Sequence, residues 1–394
     1  MQTMQTMQLG LETLFSNYLQ LLAGERVGLI VNPASINQQF EHAADVFYRC
    51  KEINLTTLFG PQHGIRGETQ DNMIEWEGFL DKRTQTTVYS LYGKTRIPTE
   101  EMLKDVDVLV FDIQDVGTRV YTFIYTMAHA MQACAKYGKR MVVLDRPNPI
   151  GGELVEGNML EPEFASFVGL FPIAMRHGMT VGELAQMFND AFAINCKLDV
   201  VPMSGWKRSM WWDETNIEWI LPSPNMPTLD TAMVYPGMVI FEGTAVSEGR
   251  GTTRPFELIG APYIDAYELT DKLNSLNLPG VYFRPNYYQP TFHKHVGQLC
   301  GGLQLHILDR QKYKSVITAV AILSTIYHLY PNKFEWKQPP YEYVHDKLPI
   351  DVIFGSDKVR KQIEKGASIT QIEESWQQGV DEFIKLRENY LIYT

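Results

Sequence analysis

Short apolar runs rich in β-branched residues, each closed by a polar or glycine-containing cluster, constrain this chain more than any other feature. The runs at 26–31, 53–59, 106–113 and 140–145 end at Asn32-Pro33, Gly60-Pro61, Gln114-Asp115 and Arg146-Pro147, and 198–203 is a further candidate. Runs of this kind read as strands buried on both faces, the pattern of parallel sheet. Helical stretches separate them. They lie at 38–51, at a start marked by Pro98-Thr-Glu-Glu-Met-Leu103, at 120–137, and at a capping-box start Thr180-Val-Gly-Glu183. The alternation predicts an α/β fold built on a doubly wound, mostly parallel sheet.

Polar residues recur just after these strands: Gln62 and His63, Asp112 and Asp115, Asp145 and Asn148. In open α/β sheets ligands bind beyond the carboxyl ends of the strands, so the recurrence predicts one shared crevice. The richest cluster is Leu58-Phe-Gly-Pro-Gln-His-Gly-Ile-Arg-Gly-Glu68, where three glycines alternate with Gln62, His63, Arg66 and Glu68. A tight strand-to-helix connection is the alternative reading of that loop. Residues 205–262 are rich in Trp, Pro and Gly without regular period, and long irregular stretches in compact proteins are usually functional. From about 263 helix and strand patterns resume, and the last helix, about 368–390, sets Ile372, Trp376, Val380, Phe383 and Ile384 on one face. The expected organisation is a disordered low-complexity N-terminus at 1–10, a large α/β domain at 11–240, and a smaller C-terminal α+β domain at 241–394 with a cleft-forming linker.

Charge and cysteine usage narrow the function. A formal net charge of −11 without a basic patch argues against a nucleic-acid partner. Cys50, Cys134, Cys196 and Cys300 are widely spaced, which fits reduced thiols and neither a disulfide framework nor a zinc site. No window reads as a membrane span, and MQTMQTMQLG has neither the basic nor the apolar region of a secretory signal. The default compartment is cytoplasmic, although a leader already removed would leave the same sequence. No G-x-G-x-x-G follows the first strand, no P-loop is present, and no metal-ligand spacing is seen. Neither a cofactor nor a metal is expected.

Carboxylates dominate what remains. Glu68, Asp112, Asp115, Glu242 and Glu248 all sit in glycine-rich or post-strand segments, and glycoside hydrolysis typically uses a pair of carboxyl groups. Caps and turns are the alternative for each. His63 is a candidate acid–base or donor group. Arg66, Arg119, Arg146 and Arg250 suit an acidic substrate group, with ion pairing to Asp112, Asp115 or Glu248 as the alternative. Trp206, Trp211, Trp212, Trp219 and Tyr121 are candidates for stacking on a sugar face.

Seven stretches together carry a resemblance: Gly-Pro-Gln-His-Gly-Ile-Arg-Gly (60–67), Tyr-Ser-Leu-Tyr-Gly (89–93), Phe-Asp-Ile-Gln-Asp-Val-Gly-Thr-Arg-Val-Tyr-Thr (111–122), Leu-Asp-Arg-Pro-Asn-Pro-Ile-Gly-Gly (144–152), Arg-His-Gly-Met-Thr-Val-Gly-Glu-Leu-Ala (176–185), Pro-Ser-Pro-Asn-Met-Pro-Thr (222–228) and Glu-Gly-Thr-Ala-Val-Ser-Glu-Gly-Arg-Gly-Thr-Thr-Arg-Pro-Phe (242–256). In this order the chain resembles the DUF1343 family, the YbbC/NamZ-like exo-β-N-acetylmuramidases. The resemblance implies a Rossmann-like N-terminal domain and a smaller C-terminal domain, with the active site in the cleft between them. It also implies release of N-acetylmuramic acid from non-reducing ends of peptidoglycan fragments, without an organic cofactor. The partner would be a muropeptide or amino-sugar oligosaccharide.

One position departs from the family, whose members commonly carry Glu where this chain has Gln62. An amide cannot exchange a proton as a carboxyl does. Another acid, such as Glu68, Glu75, Glu77, Glu242 or Glu248, has then taken the role, or the specificity has changed, or the chain binds such sugars without cleaving them. On this reading the catalytic candidates are Glu68, Glu242, Glu248, Asp115 and His63. Gln62, Arg66, Asp112, Arg119, Tyr121, Asn148, Asn225 and Arg250 are the substrate-binding candidates.

Overall fold

In the computed structural model of the chain, which describes residues 7–70 and 73–394, the first half is a doubly wound sheet. Its strands are β1 (Arg26–Val31), β2 (Asn54–Gly60), β3 (Phe79–Leu80), β4 (Thr87–Ser90), β5 (Val108–Asp112), β6 (Arg140–Leu144) and β9 (Lys197–Val201). A separate two-stranded sheet holds β7 (Glu156–Met159) and β8 (Ala174–Arg176). The large sheet runs β3-β4-β2-β1-β5-β6-β9, with every pair parallel except β3–β4. The chain winds outward from β1 through β2 to β4, then returns to place β5 on the other side of β1. That reversal makes a switch point between β1 and β5, where a crevice opens at the strand ends.

The longer helices of this half are α1 (Ala43–Arg49), α2 (Phe123–Tyr137) and α3 (Val181–Asp190). Helix α2 buries most of its length and ends on Gly138, whose φ of 67° supplies the left-handed C-cap. Helix α3 opens on the expected capping box of Thr180 and Glu183. No helix follows Pro98: residues 99–105 form turns, with Asp107 already bonded to β1 at Arg26. A good N-terminal signal there is cut off before one amphipathic turn can be buried.

The smaller part is an antiparallel sheet, β10 (Leu258–Ala261), β12 (Cys300–Ile307) and β11 (Val281–Tyr288), in spatial order β10-β12-β11. Helices α4 (Leu229–Met238), α5 (Ala266–Ser275), α6 (Ser315–Leu329) and α7 (Ile369–Arg387) accompany it. Helix α4 packs on α6 so closely that a Cβ at Gly237 would sit 2.0 Å from the Ser315 carbonyl oxygen. It lies inside the stretch expected to lack regular structure, where Pro236 and Gly237 hide it from a propensity reading. Helix α7 returns to pack against β7 and β8, and the tail reaches β6, where the Tyr393 hydroxyl donates to Asp145 at 2.6 Å.

Residues 7–10 are placed, contrary to the expected disorder. Met7 is buried and Gln8 pairs its backbone with Ser204. Residues 1–6 of that expectation, and Asp71-Asn72, lie outside the described residues. Among those described, no helix is long and apolar enough to cross a membrane.

Candidate functional site

The loop after β2 turns sharply at Gly64 and Gly67, with φ of 83° and 81°, and His63 shares the left-handed region at 71°. The Trp76 indole donates to the Pro61 carbonyl at 3.0 Å and closes over Gly60, where a Cβ would meet it at 2.7 Å. This folding buries Gln62 and His63 on the wall of a pocket with about 510 Å³ of empty space, counted out to its solvent mouth. The loop after β5 contributes Tyr121, Thr122 and Phe123, and the Thr122 hydroxyl donates to Gln62 Oε1 at 3.0 Å. Ser223, Asn225 and Met226 form another side. The pocket therefore stands at the switch point of the sheet.

Its remaining wall comes from the C-terminal half. Helix α4 contributes Tyr235 and runs into a tight turn, Val239–Gly243, that presents Glu242. Both oxygens of Glu242 are held: Arg250 Nη2 donates to Oε1 at 2.5 Å and the Tyr341 hydroxyl to Oε2 at 2.7 Å. Burial, with the charge of Glu242 behind it, keeps the Tyr341 hydroxyl far above its ordinary pKa, so Tyr341 remains a donor. Next to it stands Glu342, also buried, whose Oε2 accepts the Tyr92 hydroxyl at 2.9 Å. Burial, reinforced by the nearby charge of Glu242, pushes the Glu342 carboxyl up to about 7.

The pocket thus brings together Gln62, His63, Tyr121, Asn225, Glu242 and Arg250. The other expected site residues do not line it. Asp112 makes a two-point ion pair with Arg146 at 2.6 and 2.9 Å, both side chains almost fully buried. Asp115 accepts the Gly117 amide at 2.7 Å and lies 3.4 Å from His177 Nε2. Asn148 donates to the Met179 carbonyl and accepts the Ile150 amide. Arg119 donates to the carbonyls of Asn158, Ile173, Ile353 and Phe354, so it ties the two halves together rather than facing an anion. With no carboxylate partner, burial pushes its guanidinium down to about 10.

Arg66 is exposed and pairs with Asp81 at 2.9 Å. Glu68 is exposed and folds back to accept the Arg66 amide at 2.9 Å, while Glu75 accepts the Tyr343 hydroxyl away from the pocket. Glu77 is likewise exposed. Glu248 lies behind Arg250, against Lys294 at 2.7 Å and His293 at 3.3 Å. Burial works to raise its pKa, but the charge of Lys294, hydrogen bonding with His293 and the charge of Arg250 outweigh it and hold the carboxyl well below the usual range. Glu248 is therefore an anionic brace for Arg250 and has no proton to give. Trp206, Trp211 and Trp212 are packed in the interior, leaving Tyr121 as the aromatic of that set in the pocket.

Tyr235, Tyr341 and Glu342 escaped the sequence reading. Tyr341 and Glu342 lie in Gln338-Pro-Pro-Tyr-Glu-Tyr343, where a proline pair precedes an acid between two aromatics. That composition is the one signal that marks the segment as more than a connector.

Known proteins align with this architecture along almost its whole length. The family models for the N-terminal and C-terminal domains of exo-β-N-acetylmuramidase NamZ match residues 27–230 and 233–393. The peptidoglycan β-N-acetylmuramidase NamZ of Bacillus subtilis (strain 168) is 50% identical over 386 residues, covering 98% of this chain and 91% of that protein. A crystal structure of a DUF1343 family protein from Bacteroides fragilis NCTC 9343 superposes with a TM-score of 0.88 at 38% identity, covering 98% of this chain and 99% of the other. A second DUF1343 protein of that organism gives 0.76 at 30% identity over 99% of both chains. The chain belongs to the NamZ family of exo-β-N-acetylmuramidases.

Proposed function

We propose that this chain is an exo-acting glycoside hydrolase that releases N-acetylmuramic acid from the non-reducing ends of peptidoglycan fragments, muropeptides or amino-sugar oligosaccharides among them. The observation that carries the reading is the placement of Glu242. It is a buried carboxylate with both oxygens oriented by Arg250 and Tyr341, on the wall of a pocket that lies beyond the carboxyl ends of β2 and β5. A pocket closed by Tyr121, Phe123, Met226, Tyr235 and Phe256 admits a terminal sugar better than the middle of a chain, which suits exo action. Carboxylates have four acceptor positions, so Glu242 keeps capacity to take a proton from water while Arg250 and Tyr341 hold it. Arg250 is also the guanidinium that lines the pocket, and so the group offered to the lactyl carboxylate of the sugar. Gln62, oriented by Thr122, acts here as a hydrogen-bonding residue.

The test is sugar release from a nitrophenyl β-N-acetylmuramide and from a disaccharide with N-acetylmuramic acid at its non-reducing end. Wild type should release N-acetylmuramic acid from both, and Glu242→Gln should lose activity by about 10³-fold, within the range ordinary for removing an acid–base group. Internal cleavage of long glycan strands without release of the terminal sugar would overturn the exo reading. A silent wild type beside an active Gln62→Glu would identify a sugar binder whose catalytic acid has been replaced.

A further inference from the structure

We propose that Glu342 is the proton donor to the leaving oxygen, supplying from the C-terminal half the carboxylic acid that position 62 lacks. This deepens the muramidase reading and rests on it. Two geometric observations, with a pKa that follows from the first, support the assignment. Glu342 lines the same pocket as Glu242 and Gln62, yet is only 4% exposed. One carboxyl oxygen accepts the Tyr92 hydroxyl, which leaves the other to carry the proton. The group's pKa of about 7, raised first by burial, keeps a large protonated fraction near neutrality, as a general acid requires.

The backbone adds a third line. Tyr341 and Val344 exchange backbone hydrogen bonds at 3.0 and 2.9 Å, so Glu342 and Tyr343 form a two-residue hairpin turn. Both have positive φ, 43° and 68°. Such turns ordinarily take Asn-Gly, because a side chain crowds its own backbone there. A Glu and a Tyr held in this conformation are strained, and such strain persists where surrounding structure fixes it, most often at functional sites. The fixing groups are visible. Arg96 stacks over the rings of Tyr343, Tyr92 and Phe167 at 4.1, 4.8 and 4.9 Å, and the Tyr343 hydroxyl donates to Glu75. The turn is thereby clamped to the β4 side of the large sheet with its acid in the pocket.

The reaction balances with the groups present. The bond from C1 to the leaving oxygen breaks, and its electron pair stays on that oxygen, which takes the proton of Glu342. A water oxygen bonds to C1 through a lone pair and gives its surplus proton to Glu242. One water is consumed, and the two carboxyl groups restore their proton states through solvent.

The experiment compares Glu342→Gln with wild type on the disaccharide and on the nitrophenyl β-N-acetylmuramide. Nitrophenolate leaves without protonation, whereas a sugar alkoxide does not. Glu342→Gln should lose about 10³-fold on the disaccharide and less than 10-fold on the nitrophenyl substrate, with the basic limb of the pH profile removed. Equal losses on both substrates, or a basic limb near pH 7 that survives the substitution, would overturn the proposal. If Glu342→Gln does not fold, wild type itself decides. The fall in kcat/KM above pH 7 must then be present on the disaccharide and weak on the nitrophenyl substrate, and the same fall on both would overturn the assignment. A wild type that cleaves neither substrate refutes the muramidase reading instead.

Discussion

At the carboxyl ends of β5 and β6, Asp112 and Asp145 are bonded by donors of their own surroundings and lie outside the pocket. Asp112 takes the Arg146 fork, and Asp145 takes the amides of Arg146 and Gly182 with the hydroxyls of Thr180 and Tyr393. In the turns at 242 and 342, by contrast, Glu242 and Glu342 are held from behind and face a pocket. Both sets are buried. What separates them is where they face: Asp112 and Glu242 each accept two donors, but Glu242 and Glu342 line the pocket and Asp112 and Asp145 do not. A winding sheet must tie its post-strand loops together, and strand-end acids are the nearest groups for that task. The carboxyls proposed to react are brought to the crevice by the other half of the chain, which can approach it without having to hold it together.

Substitution separates the two sets by kind of loss. Glu242→Gln should cost about 4 kcal/mol of transition-state stabilisation, read as kcat/KM, with a smaller loss of stability, because Arg250 keeps Glu248 as a carboxylate partner at 3.3 Å and the Gln amide oxygen can still accept from it. Asp112→Ala should do the reverse. It strands the Arg146 guanidinium without its partner and should destabilise by about 3–5 kcal/mol, read from the urea midpoint. An Asp112 variant of normal stability and no activity would break the division between the sets.

Glu342 sharpens the comparison through pH. Its carboxyl is raised from an ordinary 4.5 to about 7, so the native state binds more proton than the unfolded chain between those values. Its contribution to stability is full below 4.5 and lost as pH rises through 7. The stability of wild type relative to Glu342→Gln should therefore fall across this window by up to about 1.4 kcal/mol per pH unit, leaving Glu342→Gln the more stable protein above it. Unfolding in urea at pH 5, 6, 7 and 8 measures this. A flat difference would place Glu342 among the ordinary ionised acids.

The sheet was legible because burial on both faces imposes continuous apolar runs, and the chain shows them at β1, β5, β6 and the second half of β2, while β9, at the sheet edge, is mostly half-buried. Gln62, His63, Tyr121, Asn225, Glu242 and Arg250 were legible because glycine-rich or proline-rich loops announce themselves. Side-chain partners are not written in such patterns. Arg119 and Arg146 sit in polar post-strand loops and Arg250 in a glycine-rich one, all reasonable places for an anion-binding group, yet Arg119 binds carbonyls and Arg146 binds Asp112. Glu342 escaped because its turn lacks the Asn or Gly that marks positive φ, so the strain that sets it apart also hid it. Helix α4 escaped for the opposite reason: it carries residues that mark loops.

The smallest effect should come from Glu68, the nearest acid downstream of Gln62 and hence an obvious replacement for it in sequence. Its carboxyl is exposed and accepts the Arg66 amide within its own loop, and the amide oxygen of Gln can accept that bond equally well. Glu68→Gln should shift stability by less than about 0.5 kcal/mol and kcat/KM on the disaccharide by less than about 2-fold. A loss of 10-fold or more, with stability unchanged, would mean that the loop swings an acid into the pocket when sugar binds. The N-terminal half would then supply reactive carboxyl after all, and nearness in sequence would have outweighed the geometry of the free chain.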